Sequence, residues 1–125
     1  MDVTAIIDPL NDAQRQAVSA PAQSMLVLAG AGSGKTRVLV HRIAWMIQVG
    51  NISPHSILAV TFTNKAASEM KGRIGELLNF SARGLWIGTF HGLAHRLLRR
   101  HAGEAGLPET FQVIDSDDQY RLVKR

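Results

Sequence analysis

The stretch AGAGSGKT, at positions 29–36, places closely spaced glycines before a lysine and a threonine. The spacing matches the P-loop pattern, although Ala29 stands where the general pattern has its first glycine. The glycines allow successive backbone N–H groups to turn toward phosphate oxygens. Lys35 is then expected to reach the β- and γ-phosphates, and the Thr36 hydroxyl to bind Mg²⁺. The predicted phosphate-binding residues are Ala29, Gly30, Ala31, Gly32, Ser33, Gly34, Lys35 and Thr36.

Two other interpretations of this stretch are weaker. A dinucleotide-binding fingerprint would follow Gly30 and Gly32 with a small residue at position 35, which is a lysine here. A glycine-rich turn with no ligand would not require a strand before it and Gly-Lys-Thr at the start of a helix. The predicted strand comes before the loop and Gly-Lys-Thr begins the predicted helix, which is the order that a P-loop needs. We therefore predict a site for nucleotide phosphates.

A nucleotide-hydrolysing site also needs an acidic residue, at the end of an apolar strand, that holds the metal. The runs ILAVT and LWIGT both end in threonine, and only FQVID ends in an acid, Asp115. Gln112 interrupts that apolar run, and we prefer to interpret Asp115 as an acid near a helix start, where the helix dipole favours it. We expect the metal-binding acid to lie outside these residues.

Apolar runs and helical periodicity predict the elements that hold these residues. SMLVLAG, SILAVTFT and LWIGT are typical of short buried strands. NDAQRQAV is predicted as a helix with Asn11 as N-cap, and FHGLAHRLLRRH as a basic helix. Another helix should run from Gly34 to Val49, with an apolar face of Val38, Leu39, Ile43, Met46 and Ile47. The next should be capped by Asn64, with an inner face of Ala67, Met70, Ile74, Leu77 and Leu78.

The alternation of strands and helices implies right-handed crossovers and a parallel sheet flanked by helices, so the predicted fold class is α/β. Near the end, Ser116 and Gln119 are expected to form a capping box for a further helix. Its apolar face should begin with Tyr120, Leu122 and Val123. The sequence ends within this helix without a C-cap, from which we expect it to be the front piece of a longer protein.

Composition is ordinary for one globular domain, but the charge is unevenly distributed. Residues 31–101 carry ten Lys and Arg against two Glu, whereas both flanks are acidic. This indicates either a polyanionic partner or simply a solvated basic face. The chain has no cysteine, which fits a reducing compartment. Its start, MDVTAIIDPL, lacks the features of a signal peptide, and we expect a cytoplasmic protein with no membrane association.

Four stretches together resemble a known family. LNDAQRQAV, the P-loop, AVTFTNKAASEM and IGTFHGLAHRLLR occur in the order found in the amino-terminal part of superfamily 1 DNA helicases of the UvrD/Rep/PcrA family. The resemblance covers essentially the whole chain. It implies a RecA-like P-loop NTPase fold that is incomplete here, with ATP and Mg²⁺ as cofactors. It also implies a 3′–5′ DNA helicase of repair, with single-stranded DNA, DNA junctions and DNA repair proteins as partners.

The resemblance assigns roles to individual residues. Gln14 would recognise adenine, and Arg37 would lie near the nucleotide. The predicted DNA-binding residues are Phe62, Thr63, Asn64 and Lys65 after the second strand, and Thr89, Phe90, His91 and Gly92 after the third. Without the resemblance, Gln14 could be a surface residue, Phe62 a core residue, Asn64 a helix cap and His91 a capping or core residue. A metal pair of His91 and His95 is rejected because no third ligand is evident.

The family's acidic metal motif, arginine finger and second motor domain have no counterpart here. The resemblance implies that residues 1–89 belong to motor subdomain 1A and residues 90–125 to the start of helical subdomain 1B. We expect the full-length parent to be an ATPase and these residues alone to be inactive. The rival hypotheses are another P-loop enzyme, such as a small kinase, and a non-catalytic nucleotide- or DNA-binding module.

Overall fold

A computed structural model of the chain describes residues 3–28, 34–80, 82, 84–114 and 116–124. The chain divides into two compact units, Met1–Thr89 and Phe90–Arg125, and each is described by itself. The first unit contains helices α1 (Thr4–Ile7), α2 (Asp12–Ser19), α3 (Lys35–Gln48) and α4 (Asn64–Leu78), strands β1 (Leu58–Thr61) and β2 (Trp86–Thr89), and a short 3₁₀ turn at Pro54–Ser56. The second unit contains α5 (Phe90–Arg100) and α6 (Ser116–Lys124).

The two strands form a parallel pair in which Leu58 is opposite Trp86 and Thr61 is opposite Thr89. The prediction of α/β content with parallel strands is therefore confirmed at the level of this pair. Because the strands run in the same direction, their carboxyl ends lie at one edge of the sheet, where ligands of open α/β sheets bind.

The predicted strand at SMLVLAG is wrong for residues 24–28, which form no strand. Among the described residues β1 and β2 pair with each other, and this segment joins neither. An apolar run becomes a buried strand only when neighbouring strands and covering helices surround it. No described strand pairs with this segment, and Leu26 and Leu28 are 82% and 86% exposed.

One core cluster joins α3 and α4 to the strand pair. The predicted inner face of α4 is confirmed, since Ala67, Met70 and Ile74 are buried and Leu77 and Leu78 pack against buried residues. On α3 the predicted face is confirmed at Ile43, which is buried, and at Val38, Met46 and Ile47, which pack against buried residues. It is wrong at Leu39, which is 39% exposed, and it omitted Val40, which is fully buried. The buried members of the cluster are Val40, Ile43, Ile57, Ala59, Met70, Ile74, Ala82, Leu85 and Ile87.

The structure identifies the N-cap residues of α2 and α4, for which the sequence predicted Asn11 and Asn64. Asn11 caps α2 as predicted, since its side chain accepts from the Gln14 backbone N–H. The cap of α4 is Thr63 and not Asn64, because Thr63 has the extended backbone that a cap requires and its hydroxyl accepts from the Ala66 N–H at 3.1 Å. Asn64 is already the first residue of the helix.

A second apolar cluster attaches the amino-terminal segment to α3. It contains Ile6, Leu10 and Val18 from the segment and Ala44 from the helix. Val18 and Ala44 are completely buried. The segment that carries Gln14 is therefore packed on the helix that carries Lys35.

In the second unit, Arg99 of α5 binds the segment that follows this helix. Its guanidinium lies 4.4 Å from the centroid of the Phe111 ring and donates to the carbonyl oxygens of Glu109 and Phe111. The His95 ring packs edge-on against Phe111 at 5.4 Å. In α6, the predicted apolar residues Tyr120, Leu122 and Val123 are exposed. The helix begins at Ser116. Residue 115 lies outside the described residues, and the predicted capping box of Ser116 and Gln119 stays a prediction.

Within the described ranges, no helix is both long enough and apolar enough to cross a membrane.

Candidate functional site

Gln14 and Gly34 come together at the start of α3. A Cβ atom added to Gly34 would lie 2.7 Å from Gln14 Nε2, so the amide of Gln14 faces the glycine directly. The other end of the same amide is fixed locally, because Gln14 Oε1 accepts from the Asn11 backbone N–H at 3.0 Å. The capping box of α2 thus orients a side chain whose NH₂ group points at the start of α3.

The described residues at the amino terminus of α3 are suited to binding an anion. Gly34 precedes the helix with a φ of 82°, in the left-handed region that favours glycine. No side chain caps this end, and the first turn contains no acidic residue. The first-turn N–H groups and the positive end of the helix dipole are therefore suited to an anion such as phosphate.

Of the predicted phosphate-binding residues, the structure describes Gly34, Lys35 and Thr36. Lys35 is exposed and Thr36 is half-buried in the first turn of α3. Ala29, Gly30, Ala31, Gly32 and Ser33 lie outside the described residues, as does Asp115. No cluster of His, Cys, Asp or Glu among the described residues could hold a metal ion.

Arg37 lies in the first turn of α3 and contacts the amino-terminal segment. Its Nη1 donates to the Pro9 carbonyl at 3.2 Å. Arg37 also lines a cavity of about 290 Å³ together with Ala5, His41, Arg73, Glu76 and Leu77. The predicted nucleotide-side arginine is thus near a second arginine, Arg73, which the sequence analysis did not single out.

The predicted DNA-binding residues after β1 form an exposed turn. Thr61 Oγ1 accepts from the Thr63 backbone N–H at 3.3 Å, and this bond folds the turn around Phe62. The Phe62 ring is 88% exposed, so it is not a core residue. Asn64 and Lys65, in the first turn of α4, are also exposed.

The second predicted group is divided between the two units. Thr89 ends β2 opposite Thr61 in the first unit. Phe90, His91 and Gly92 are exposed residues in the first turn of α5, in the second unit.

A family model for the UvrD/REP helicase N-terminal domain matches residues 10–125. The chain belongs to the UvrD/Rep helicase family. The family assignment made from the order of the four motifs is confirmed.

This UvrD/Rep family chain is 67% identical over 125 residues to DNA helicase II of Salmonella typhimurium and 66% identical to DNA helicase II of Escherichia coli. Both matches cover 100% of the chain and 17% of the relative. It is 45% identical over 122 residues to the ATP-dependent DNA helicase PcrA of Staphylococcus epidermidis. That match covers 98% of the chain and 17% of the relative. The chain therefore spans 17% of the length of these curated relatives.

Beyond the family motifs, the structure brings further side chains of this UvrD/Rep domain close to the predicted site. His41 Nδ1 donates to the Ile6 carbonyl at 2.6 Å, and Arg42 donates to the carbonyl oxygens of Val18, Ala20 and Pro21. Their signal in the sequence is weak, namely two adjacent basic residues in the middle of a predicted amphipathic helix.

Proposed function

We propose that this chain is the ATP-binding segment of an ATP-dependent DNA helicase that moves 3′ to 5′ on single-stranded DNA and acts in DNA repair. The contact between Gln14 and Gly34 carries the proposal, because it joins a base-recognising amide to a phosphate-binding helix. Membership of the UvrD/Rep family supports it, as do the names of the relatives, DNA helicase II and ATP-dependent DNA helicase. We infer that the complete fold is RecA-like, with residues 1–89 in subdomain 1A and 90–125 in subdomain 1B.

The phosphate end of ATP would bind at the start of α3. The backbone N–H groups of its first turn are uncapped by side chains and can donate to phosphate oxygens. Lys35 is exposed and can bring its ammonium to the β- and γ-phosphates, while the Thr36 hydroxyl would hold Mg²⁺. Mg²⁺, when bound with ATP, would supply further neutralisation of charge on the phosphate oxygens.

The base end of ATP would be recognised by Gln14. The Nε2 group can donate to adenine N7, and the second lone pair of Oε1 can accept from adenine N6. Guanine presents an oxygen acceptor at the position of N6, so it would face the Oε1 acceptor without a hydrogen bond. On this proposal the donor and acceptor of the Gln14 amide favour ATP over GTP.

A single strand of DNA would contact the exposed turn after β1. Phe62 offers a ring on which a base can stack, and Asn64 and Lys65 offer a hydrogen-bond donor and a positive charge. Phe90, His91 and Gly92 are proposed as a further DNA contact. DNA junctions and repair proteins as partners, and a cytoplasmic location, follow from the same helicase assignment.

The test uses the full-length protein with Lys35→Ala and, as a matched control, Lys71→Ala in α4. The Lys35 variant should lose about 10²–10³-fold in DNA-stimulated ATP hydrolysis, the cost of removing one group that stabilises developing charge. The control should retain both hydrolysis and unwinding.

Normal turnover in Lys35→Ala would refute the phosphate assignment. If the unaltered protein binds ATP but shows no DNA-stimulated hydrolysis, it is a non-catalytic binding module, and the helicase proposal is wrong.

A further inference from the structure

Arg42 caps the carboxyl end of α2 by donating hydrogen bonds to three backbone carbonyls. Its Nη1 donates to Val18 O at 2.9 Å and to Ala20 O, and its Nη2 donates to Pro21 O at 3.0 Å. The last carbonyls of a helix have no partner within the helix, and a cation near them is favourable. The helix stops here because Ala20, before a proline, has an extended ψ of 150°.

Arg42 belongs to the same helix as the phosphate-binding residues. Lys35 and Arg42 are seven residues apart on α3, which places them on one side of the helix. Both line a cavity of about 280 Å³, together with Ala17 of α2. The guanidinium of Arg42 therefore connects the end of α2 to the side of α3 that carries Lys35.

The opposite end of α2 is held by other contacts. Arg15 of α2 donates to the carbonyls of Ile7 at 3.1 Å and Asp8 at 3.2 Å. Arg37 of α3 donates to Pro9 O. Gln14 lies between these contacts and Arg42, with its NH₂ group at Gly34. A short helix such as α2 is marginal in isolation, so its placement depends on these tertiary bonds.

We propose that Arg42 is a positioning residue for nucleotide recognition: by fixing the carboxyl end of α2 to α3, it holds the Gln14 amide in register with the phosphate-binding end of that helix. This inference rests on the proposed role of Gln14 in recognising adenine. The proposed role requires no contact between Arg42 and the nucleotide. Its effect on base selectivity passes through Gln14.

Arg42→Lys in the full-length protein is the discriminating variant. Lysine keeps the positive charge but lacks the planar fork that serves three carbonyls at once. The measurement is the ratio of kcat/KM for ATP to kcat/KM for GTP, in the presence of saturating single-stranded DNA. This ratio does not depend on the folded fraction, so a loss of stability alone leaves it unchanged.

Arg42→Lys should lower the ATP/GTP ratio by about two- to tenfold, the range that one misplaced hydrogen bond accounts for. Gln14→Ala should lower it by at least as much, and the double variant should show no further loss beyond Gln14→Ala, since both act on one interaction. Arg121→Lys, at an exposed position of α6, is the matched control and should leave the ratio unchanged.

An unchanged ratio in Arg42→Lys, beside a reduced ratio in Gln14→Ala, would overturn the positioning role and leave the function of Gln14 intact. Additive losses in the double variant would also overturn it. An unchanged ratio in Gln14→Ala would remove the adenine role itself, and the Arg42 inference with it.

Discussion

Gln14 Nε2 lies so close to Gly34 that a Cβ atom on residue 34 would be only 2.7 Å from it. Two motifs that are distant in the sequence therefore meet at the amino terminus of α3. The contact needs both a glycine at position 34 and an α2 that is capped and anchored. Each requirement can be tested separately.

The two ends of the Gln14 amide should have separable effects. Gln14→Glu keeps an oxygen that can accept from the Asn11 N–H and complete the capping box, but it removes the NH₂ donor. We expect both Gln14→Glu and Gln14→Ala to weaken ATP binding in the full-length protein by about 0.5–1.5 kcal/mol or more. Only Gln14→Ala should also lower the free energy of unfolding. Calorimetric titration with ATP and urea unfolding measure the two effects, and undiminished ATP affinity in Gln14→Glu would contradict the role of the donor.

Gly34→Ala should be destabilising, because residue 34 has a φ of 82° and an L-residue with a Cβ atom pays about 1–2 kcal/mol in that region. The added methyl group must also displace the Gln14 amide. ATP affinity should therefore fall as well as the free energy of unfolding. Gly72→Ala is the matched control, since a Cβ there meets nothing within 4 Å and the residue is inside α4. That change should stabilise by about 0.5–1 kcal/mol. Equal effects of the two substitutions in thermal unfolding would show that the conformation of Gly34 is unimportant.

Phe62→Ala should weaken binding of single-stranded DNA by about 1–3 kcal/mol if the exposed ring stacks on a base. Since the ring is 88% exposed, the melting temperature should barely change. Phe80→Ala, just beyond the opposite end of α4, is the control. This variant should keep its DNA affinity per folded molecule. Fluorescence anisotropy with a labelled oligonucleotide measures the affinity. A fall in melting temperature with undiminished affinity would identify Phe62 as a packing residue.

Arg99→Lys should loosen the segment after α5. Lysine cannot both stack on Phe111 and serve the carbonyls of Glu109 and Phe111, so we expect a local loss of about 1 kcal/mol. The amides of Leu107 and Phe111, which donate to Ala102 O and Pro108 O, report it by faster hydrogen exchange. Arg121→Lys, whose ion pair with Asp118 is long at 3.9 Å, should leave these amides unaffected. Unaltered exchange in Arg99→Lys would show that the segment is held by other contacts.

Local signals in the sequence determined much of this protein. The spacing of apolar residues placed α2, α3, α4 and α5 within a few residues of their observed bounds, because each helix buries one face of a 3.6-residue repeat. Asn11 and Gln14 predicted the cap of α2 from neighbouring positions alone. The order of four short motifs determined the family.

Tertiary structure alone decided the relationships between distant segments. The sequence could not show that Gln14 faces Gly34, or that Arg42 serves carbonyls at the end of α2, because such contacts depend on how helices pack and not on local spacing. It also misassigned residues 24–28: the apolar run is intrinsically suited to a strand, but a strand exists only where a partner supplies its hydrogen bonds. Periodicity is a property of the chain itself, whereas pairing and contact require a second segment in the right place.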